Sequence, residues 1–178
     1  MSTLKENKIS SKIIYQGRLL DVRIDEVSLP NGNTSTREWI KHPGAVCIIP
    51  RLPDNRIALI RQYRYPVKKE MIELPAGKLE ENENPEACAK REMEEEIGYR
   101  TEKLTLLTHF HPAVGFADEI MGLYLAESLV KTAPNQDEDE FLELMPTPLD
   151  EALKMIWEGK IIDAKTIIGL LWAERLLS

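Results

Sequence analysis

Cysteine is nearly missing from this chain: Cys47, inside an apolar run, and Cys88, in a helical pattern, are the only two. Two thiols so far apart support neither a disulfide framework nor a zinc site; they read as small buried hydrophobes, compatible with a reducing cytoplasm. Long apolar runs are also lacking. Those present, such as Ala45 to Ile49, fall far short of the roughly 20 residues that cross a bilayer, so a membrane-spanning protein is not expected. Met1 to Ser11 are polar and mixed in charge, without the apolar stretch of an export signal, and a cytoplasmic protein is the expectation. Positive charge is in deficit. Lys and Arg number 23 against 30 Asp and Glu, a net −7, which argues against non-specific binding to nucleic acid or an anionic membrane.

What remains is a chain of 178 residues, 43% apolar and 30% charged, suited to one domain with a small appendage and long enough to bury a core. The excess acid is concentrated. Gly77 to Tyr99 carries eight acidic residues against Lys78, Lys90 and Arg91, and Asp137-Glu138-Asp139-Glu140 is an uninterrupted acidic run. Such clusters either form a solvated face or hold a cation, and the geometry of the first one decides between them.

Alternating and short apolar segments predict strands over Lys12 to Gln16, Leu19 to Leu29 and Thr34 to Ile40, a small antiparallel unit broken off by His42-Pro43-Gly44. Further strands are expected over Ala45–Ile49, Ile57–Tyr63, Met71–Leu74, Leu104–Phe110 and Ile120–Glu127. Asn84 followed by Pro85 marks a helix start and Gly98 its stop; Thr147-Pro148 opens a second helix ending near Gly159, and Asp163 caps a third. The sum is a mixed α/β domain preceded by a β-rich region.

On the helix after Asn84, at about 100° per residue, Glu92, Glu95 and Glu96 share an arc of roughly 100°. Ala89, Met93 and Ile97 form the neighbouring apolar stripe, so the three acids sit at the edge of a packed face. Arg91, beside Glu95, offsets one charge. A hard divalent cation with oxygen ligands, magnesium or manganese, suits the others, whereas zinc would favour His or Cys.

The run Gly77-x5-Glu83-x7-Arg91-Glu92-Met93-x-Glu95-Glu96-x-Gly98-Tyr99 resembles the Nudix box, with Tyr99 standing where the family more often has an aliphatic residue. The resemblance implies an α/β/α sandwich that hydrolyses a nucleoside diphosphate linked to another group. It implies that Arg91 and Glu83 support the loop and helix, and that Glu92 and Glu96, with Glu95 close by and the Ala76 carbonyl, ligate Mg2+ or Mn2+. Residues 1–42 are then an N-terminal region for dimerisation and base recognition, and 43–178 the hydrolase domain.

Motifs flanking the box, His42-Pro43-Gly44-Ala45-Val46, Arg61-Gln62-Tyr63-Arg64 and Glu73-Leu74-Pro75-Ala76-Gly77, are similar to those of the ADP-ribose pyrophosphatase and nucleoside diphosphate sugar hydrolase branch. GDP-mannose hydrolases share several of them. By this resemblance Arg64 meets the diphosphate, and Glu73 is expected among the substrate-binding residues. Arg37 and Trp39 recognise the base across a homodimer with exchanged N-terminal regions, although Trp39 equally suits core or dimer packing. The segment Pro112 to Glu119 resembles the loop that holds the terminal sugar, which puts Phe116 and Glu119 there, with Val114 departing from the usual proline. A late loop supplies the general base, with Glu140 favoured and Glu138 second. ADP-ribose, giving AMP and ribose 5-phosphate, is the expected substrate. GDP-mannose or a broad range of sugar nucleotides is the alternative within the enzyme class, and a non-catalytic nucleotide sensor the alternative outside it.

Overall fold

The structure, a computed structural model, describes residues 4–132 and 141–177. Strands β1 (Asn7–Gln16), β2 (Asp21–Ser28) and β3 (Thr34–Lys41) form an antiparallel sheet in that order, and every residue of β1 is exposed. Then come β4 (Ala45–Pro50), β5 (Ile57–Arg64), β6 (Lys69–Glu73), β7 (Ala76–Lys78), α1 (Pro85–Ile97), β8 (Tyr99–Phe110), β9 (Met121–Lys131), β10 (Leu142–Thr147), α2 (Leu149–Trp157) and α3 (Ala164–Leu177). Two sheets result, β7-β4-β9-β8 with β4 and β9 parallel, and the antiparallel β10-β5-β6.

Strand β4 is buried along its whole length because both of its faces are covered, the usual reason for an unbroken apolar strand. Val46 and Ile48 pack towards Cys88, Ala89, Met93 and Ile97 of α1. Ala45, Cys47 and Ile49 face the opposite way, into a core with Ala152 of α2 and Leu170 and Ala173 of α3. This is the α/β/α sandwich expected from the sequence. The N-terminal sheet is tied to it by backbone bonds, Ile40 N–H to Phe116 O (2.8 Å) and Asp118 N–H to Ile40 O (3.2 Å).

Five strands differ from the sequence expectation, and each difference comes from pairing: β9 runs on past Glu127 to Lys131, where it pairs with Tyr99 at the start of β8. Strand β7 has turn-like composition and extends because it pairs with β4, Val46 opposite Gly77. Strand β10 contains Pro146 yet pairs with β5; it lies at a sheet edge, where a residue lacking an N–H is tolerated. Strands β1 and β8 begin earlier than expected, at Asn7 and Tyr99. Both are edge strands whose extra residues, such as Lys8, Arg100 and Glu102, are polar and exposed.

Candidate active site

The site is assembled where β7 runs into α1. Asn84 caps the helix, its Oδ1 accepting from Glu86 N–H at 2.9 Å, with Pro85 in the first turn. At the other end Gly98 takes the left-handed conformation (φ 68°) that a side chain would disfavour. Between these caps Ala89 and Met93 are fully buried, so the rotation of α1 is set and the acidic stripe faces β7.

Arg91 ties the loop before the helix to the helix itself. It forks onto Glu83 (2.9 and 3.0 Å), reaches the Lys78 carbonyl (3.3 Å), and donates to Glu92 (2.8 Å) and Glu95 (2.9 Å). Glu83 also accepts from Glu80 N–H at 2.9 Å. The Arg91 bonds hold the Glu83 carboxyl down at about 2, and the same bonds to Glu83 raise the guanidinium further above its ordinary range. Burial drives the thiol of Cys88, behind the loop, up to about 12 and raises that of Cys47 as well, so neither offers a thiolate near neutrality.

Glu96 is 4% exposed and accepts from Ala76 N–H at 3.1 Å. Glu92 lies directly over Gly77: a Cβ at that position would fall 1.8 Å from Glu92 Oε1. Only glycine leaves the Glu92 carboxylate this place over the strand. Glu92 and Glu96 therefore stand side by side along the Ala76–Gly77 backbone, while Glu95 turns to Arg91. Among the described residues no three His, Cys, Asp or Glu side chains close into a cage for a metal ion. The donor set is nonetheless all oxygen, which fits a magnesium-like cation: such an ion keeps several waters and is held through one or two carboxylates plus phosphate oxygens.

A cleft of about 450 Å³ opens beside this backbone, lined by Arg64, Ala76, Gly77, Glu92, Glu119 and Lys165. A second hollow of about 720 Å³, bordered by Arg18, Gln62, Arg91 and Glu95, shares Leu19, Lys78 and Glu92 with it. Leu19 and Arg18 reach in from the β1–β2 turn. Arg64 forks onto Glu73 with both bonds at 2.8 Å, and Glu73, 2% exposed, also receives Lys165. Burial opposes ionisation of Glu73, but Arg64 and Lys165 outweigh it and its pKa is lowered.

Of the residues singled out in the sequence, Glu92, Arg64, Ala76 and Glu119 line the cleft, and Arg91 and Glu95 the adjoining hollow, with Glu96 and Glu73 immediately behind. Glu119 lies 3.8 Å from His42 Nε2. Phe116 is exposed beside β3, Trp39 is half-buried, and neither they nor Arg37 border either space. Arg37 pairs with Glu6, and the Trp39 ring lies 5.7 Å from the Arg23 guanidinium. Glu138 and Glu140 lie outside the described residues. Lys165 went unnoticed in the sequence as a site residue; the clue was its place two positions after the helix cap Asp163.

The NUDIX domain model matches residues 41–167, and the nucleoside diphosphate sugar hydrolase N-terminal domain matches residues 6–40. The chain is 46% identical over 168 residues to the methanol dehydrogenase activator of Bacillus methanolicus, covering 93% of this chain and 91% of that protein. It is 42% identical over 172 residues to the ADP-ribose pyrophosphatase of Bacillus subtilis (strain 168), covering 96% and 93%. A solved structure described as an ADP compounds hydrolase superposes with a TM-score of 0.87 at 22% identity, across 99% of this chain and 96% of that one, a likeness of fold.

Proposed function

Because the chain belongs to the Nudix family, with the nucleoside diphosphate sugar hydrolase N-terminal domain before it, we propose that its preferred substrate is ADP-ribose, cleaved to AMP and ribose 5-phosphate. It is a Nudix pyrophosphohydrolase acting on nucleoside diphosphate sugars. The observation that carries the reading is a cleft lined both by the Glu92 carboxylate, with Glu96 bonded to the Ala76 N–H behind it, and by the cations Arg64 and Lys165. Such a cleft suits a diphosphate bridged by a cation. The 42% identity to an ADP-ribose pyrophosphatase supports the choice of sugar nucleotide.

Hydrolases of this family use a divalent cation, and Mg2+ is the ion proposed here, held by Glu92, Glu96 and the Ala76 carbonyl. When bound it supplies charge neutralisation at the diphosphate and acidifies a coordinated water. The chain's own residues do the rest. Arg91 holds the loop and helix in register. Arg64 presents its guanidinium to the diphosphate, a planar match for phosphate oxygens. Glu119, which also lines the cleft, accepts from ribose hydroxyls, with Phe116 shaping that loop. Glu140, with Glu138 as the second candidate, takes the proton of the attacking water.

Residues 1–42 form the proposed dimerisation and base-recognition region. Arg37 and Trp39 would serve the site of a second copy, a reading supported by their absence from the lining of this chain's own cleft and by the exposed Ile9, Ile13, Ile14 and Tyr15 along β1. The free, buried cysteines support a cytoplasmic setting, and no described helix is long and apolar enough to cross a membrane.

The test is phosphate release in a coupled phosphatase assay with Mg2+ across ADP-ribose, GDP-mannose, UDP-glucose and nucleoside triphosphates, with Glu96→Gln as control. Turnover confined to ADP-ribose and abolished in the control supports the proposal, and a broad profile replaces it with a general sugar-nucleotide hydrolase. A second reading, regulation of another protein, is favoured by the name of the 46% identical relative. Nucleotide binding without any turnover would select it.

A further inference from the structure

We propose that Lys165 is the positioning residue for Arg64, acting through the buried carboxylate of Glu73, and so governs how tightly the cleft grips the diphosphate. The inference rests on the substrate class just proposed.

Glu73 sits at the end of β6 and is 2% exposed, yet both of its oxygens are taken by cations. Arg64 Nε donates to Oε1 and Nη2 to Oε2, each at 2.8 Å, and Lys165 Nζ also donates to Oε2. Lys165 stands in the first turn of α3 with its side chain only 12% exposed. Its ammonium is held from the other side by Asp163 Oδ2 at 3.0 Å. The same Asp163 oxygen caps the helix, accepting from Thr166 N–H (3.0 Å) and Thr166 Oγ1 (2.6 Å). Thr166 Oγ1 in turn accepts from Leu74 N–H at 2.8 Å. The chain segment Glu73–Leu74 is thus clamped to the start of α3 twice, once by side chain and once by backbone.

That double clamp fixes the plane of the Glu73 carboxylate, and a planar carboxylate in turn fixes the plane of a guanidinium forked onto it. Nε and Nη2 of Arg64 are committed to Glu73. Nη1 has no hydrogen-bond partner among the described residues, and Arg64 lines the same cleft as Glu92. Two of the three ammonium hydrogens of Lys165 are committed to Glu73 and Asp163, the geometry of a residue that holds the Glu73 carboxylate in place. The charges balance: two cations and two carboxylates share one largely buried cluster. Without Lys165, Glu73 would depend on Arg64 alone, whose side chain is 41% exposed and free to leave the productive plane. Burial works against the Lys165 ammonium, but Asp163 and Glu73 hold its pKa above the ordinary value, so it is charged throughout the working range.

The experiment is a double-mutant cycle on the full chain with Lys165→Met, Arg64→Ala and both together, read as kcat and KM for ADP-ribose. It is paired with hydrogen exchange at Arg64 Nε–H, measured by NMR in the substrate-free protein. Lys165→Met is expected to raise KM by about tenfold with kcat changed less than about threefold, and to have almost no further effect once Arg64 is gone. In the substrate-free protein Arg64 Nε–H is expected to exchange faster in Lys165→Met than in the wild type. Effects that multiply in the cycle would mean that Lys165 touches the substrate directly and would overturn the proposal, as would unchanged exchange at Arg64. Asp163→Asn, which keeps the cap while weakening the hold on Lys165, is expected to shift KM and exchange in the same direction. It serves if Lys165→Met does not fold. Absence of turnover by the wild type would instead count against the assigned substrate class, leaving the exchange measurement to decide the role of Lys165.

Discussion

Glu92 occupies the space that a side chain at position 77 would need: a Cβ on Gly77 would lie 1.8 Å from its carboxylate oxygen. The glycine of the box therefore leaves room for the Glu92 side chain over β7. Gly77→Ala is expected to leave the fold intact, with a near-normal melting temperature, and to lower kcat by about 10²-fold, the usual penalty for displacing a catalytic group by about 1 Å. Full activity in Gly77→Ala would show that the position of Glu92 is unimportant.

The bonds from Arg91 depress the Glu83 carboxyl to about 2 in the folded protein. A carboxylate depressed on folding contributes stability that is complete above its unfolded pKa, near 4.3, and lost as pH falls through the folded value. Glu83→Gln should therefore be less stable than the wild type at pH 7, and the gap should narrow as pH falls from about 4.5 towards 2. Urea midpoints at several pH values check this; a gap independent of pH would assign the loss to packing.

For Glu140, in the acidic run outside the described residues, Glu140→Gln is expected to lower kcat by at least about 10²-fold with little change in KM, the size expected of a general base. A near-normal rate would move the role to Glu138 or Glu119, and the corresponding substitutions in the same assay would tell which.

Strand β1 exposes Ile9, Ile13 and Ile14 over its whole length. Ile13→Lys is expected to yield a monomer by sedimentation velocity and to raise KM more than it lowers kcat, because Arg37 and Trp39 would no longer reach a second copy's site. An unchanged sedimentation coefficient would count against a contact between copies through β1.

Much of this was legible in the residues themselves. Asn84, Pro85 and Gly98 bounded the catalytic helix correctly because capping depends on groups within a turn of each other. The spacing of Ala89, Met93 and Ile97 set its buried face for the same local reason, and the spacing from Gly77 to Glu96 carried the family. Strand β7 was not legible, because Ala76-Gly77-Lys78 has no strand preference of its own and extends only by pairing with β4. Strand β10 was hidden by Pro146, which an edge position accommodates. The link from Lys165 through Glu73 to Arg64 joins α3 to a residue 92 positions earlier in the chain, Glu73, and no sequence interval announces it. Periodicity and capping are interactions between near neighbours, so the sequence by itself determined the helix, its acidic stripe and the chemistry they imply. Which cation stands behind which carboxylate depends on how distant segments pack, and that was decided only when the sheets and α3 closed around Glu73.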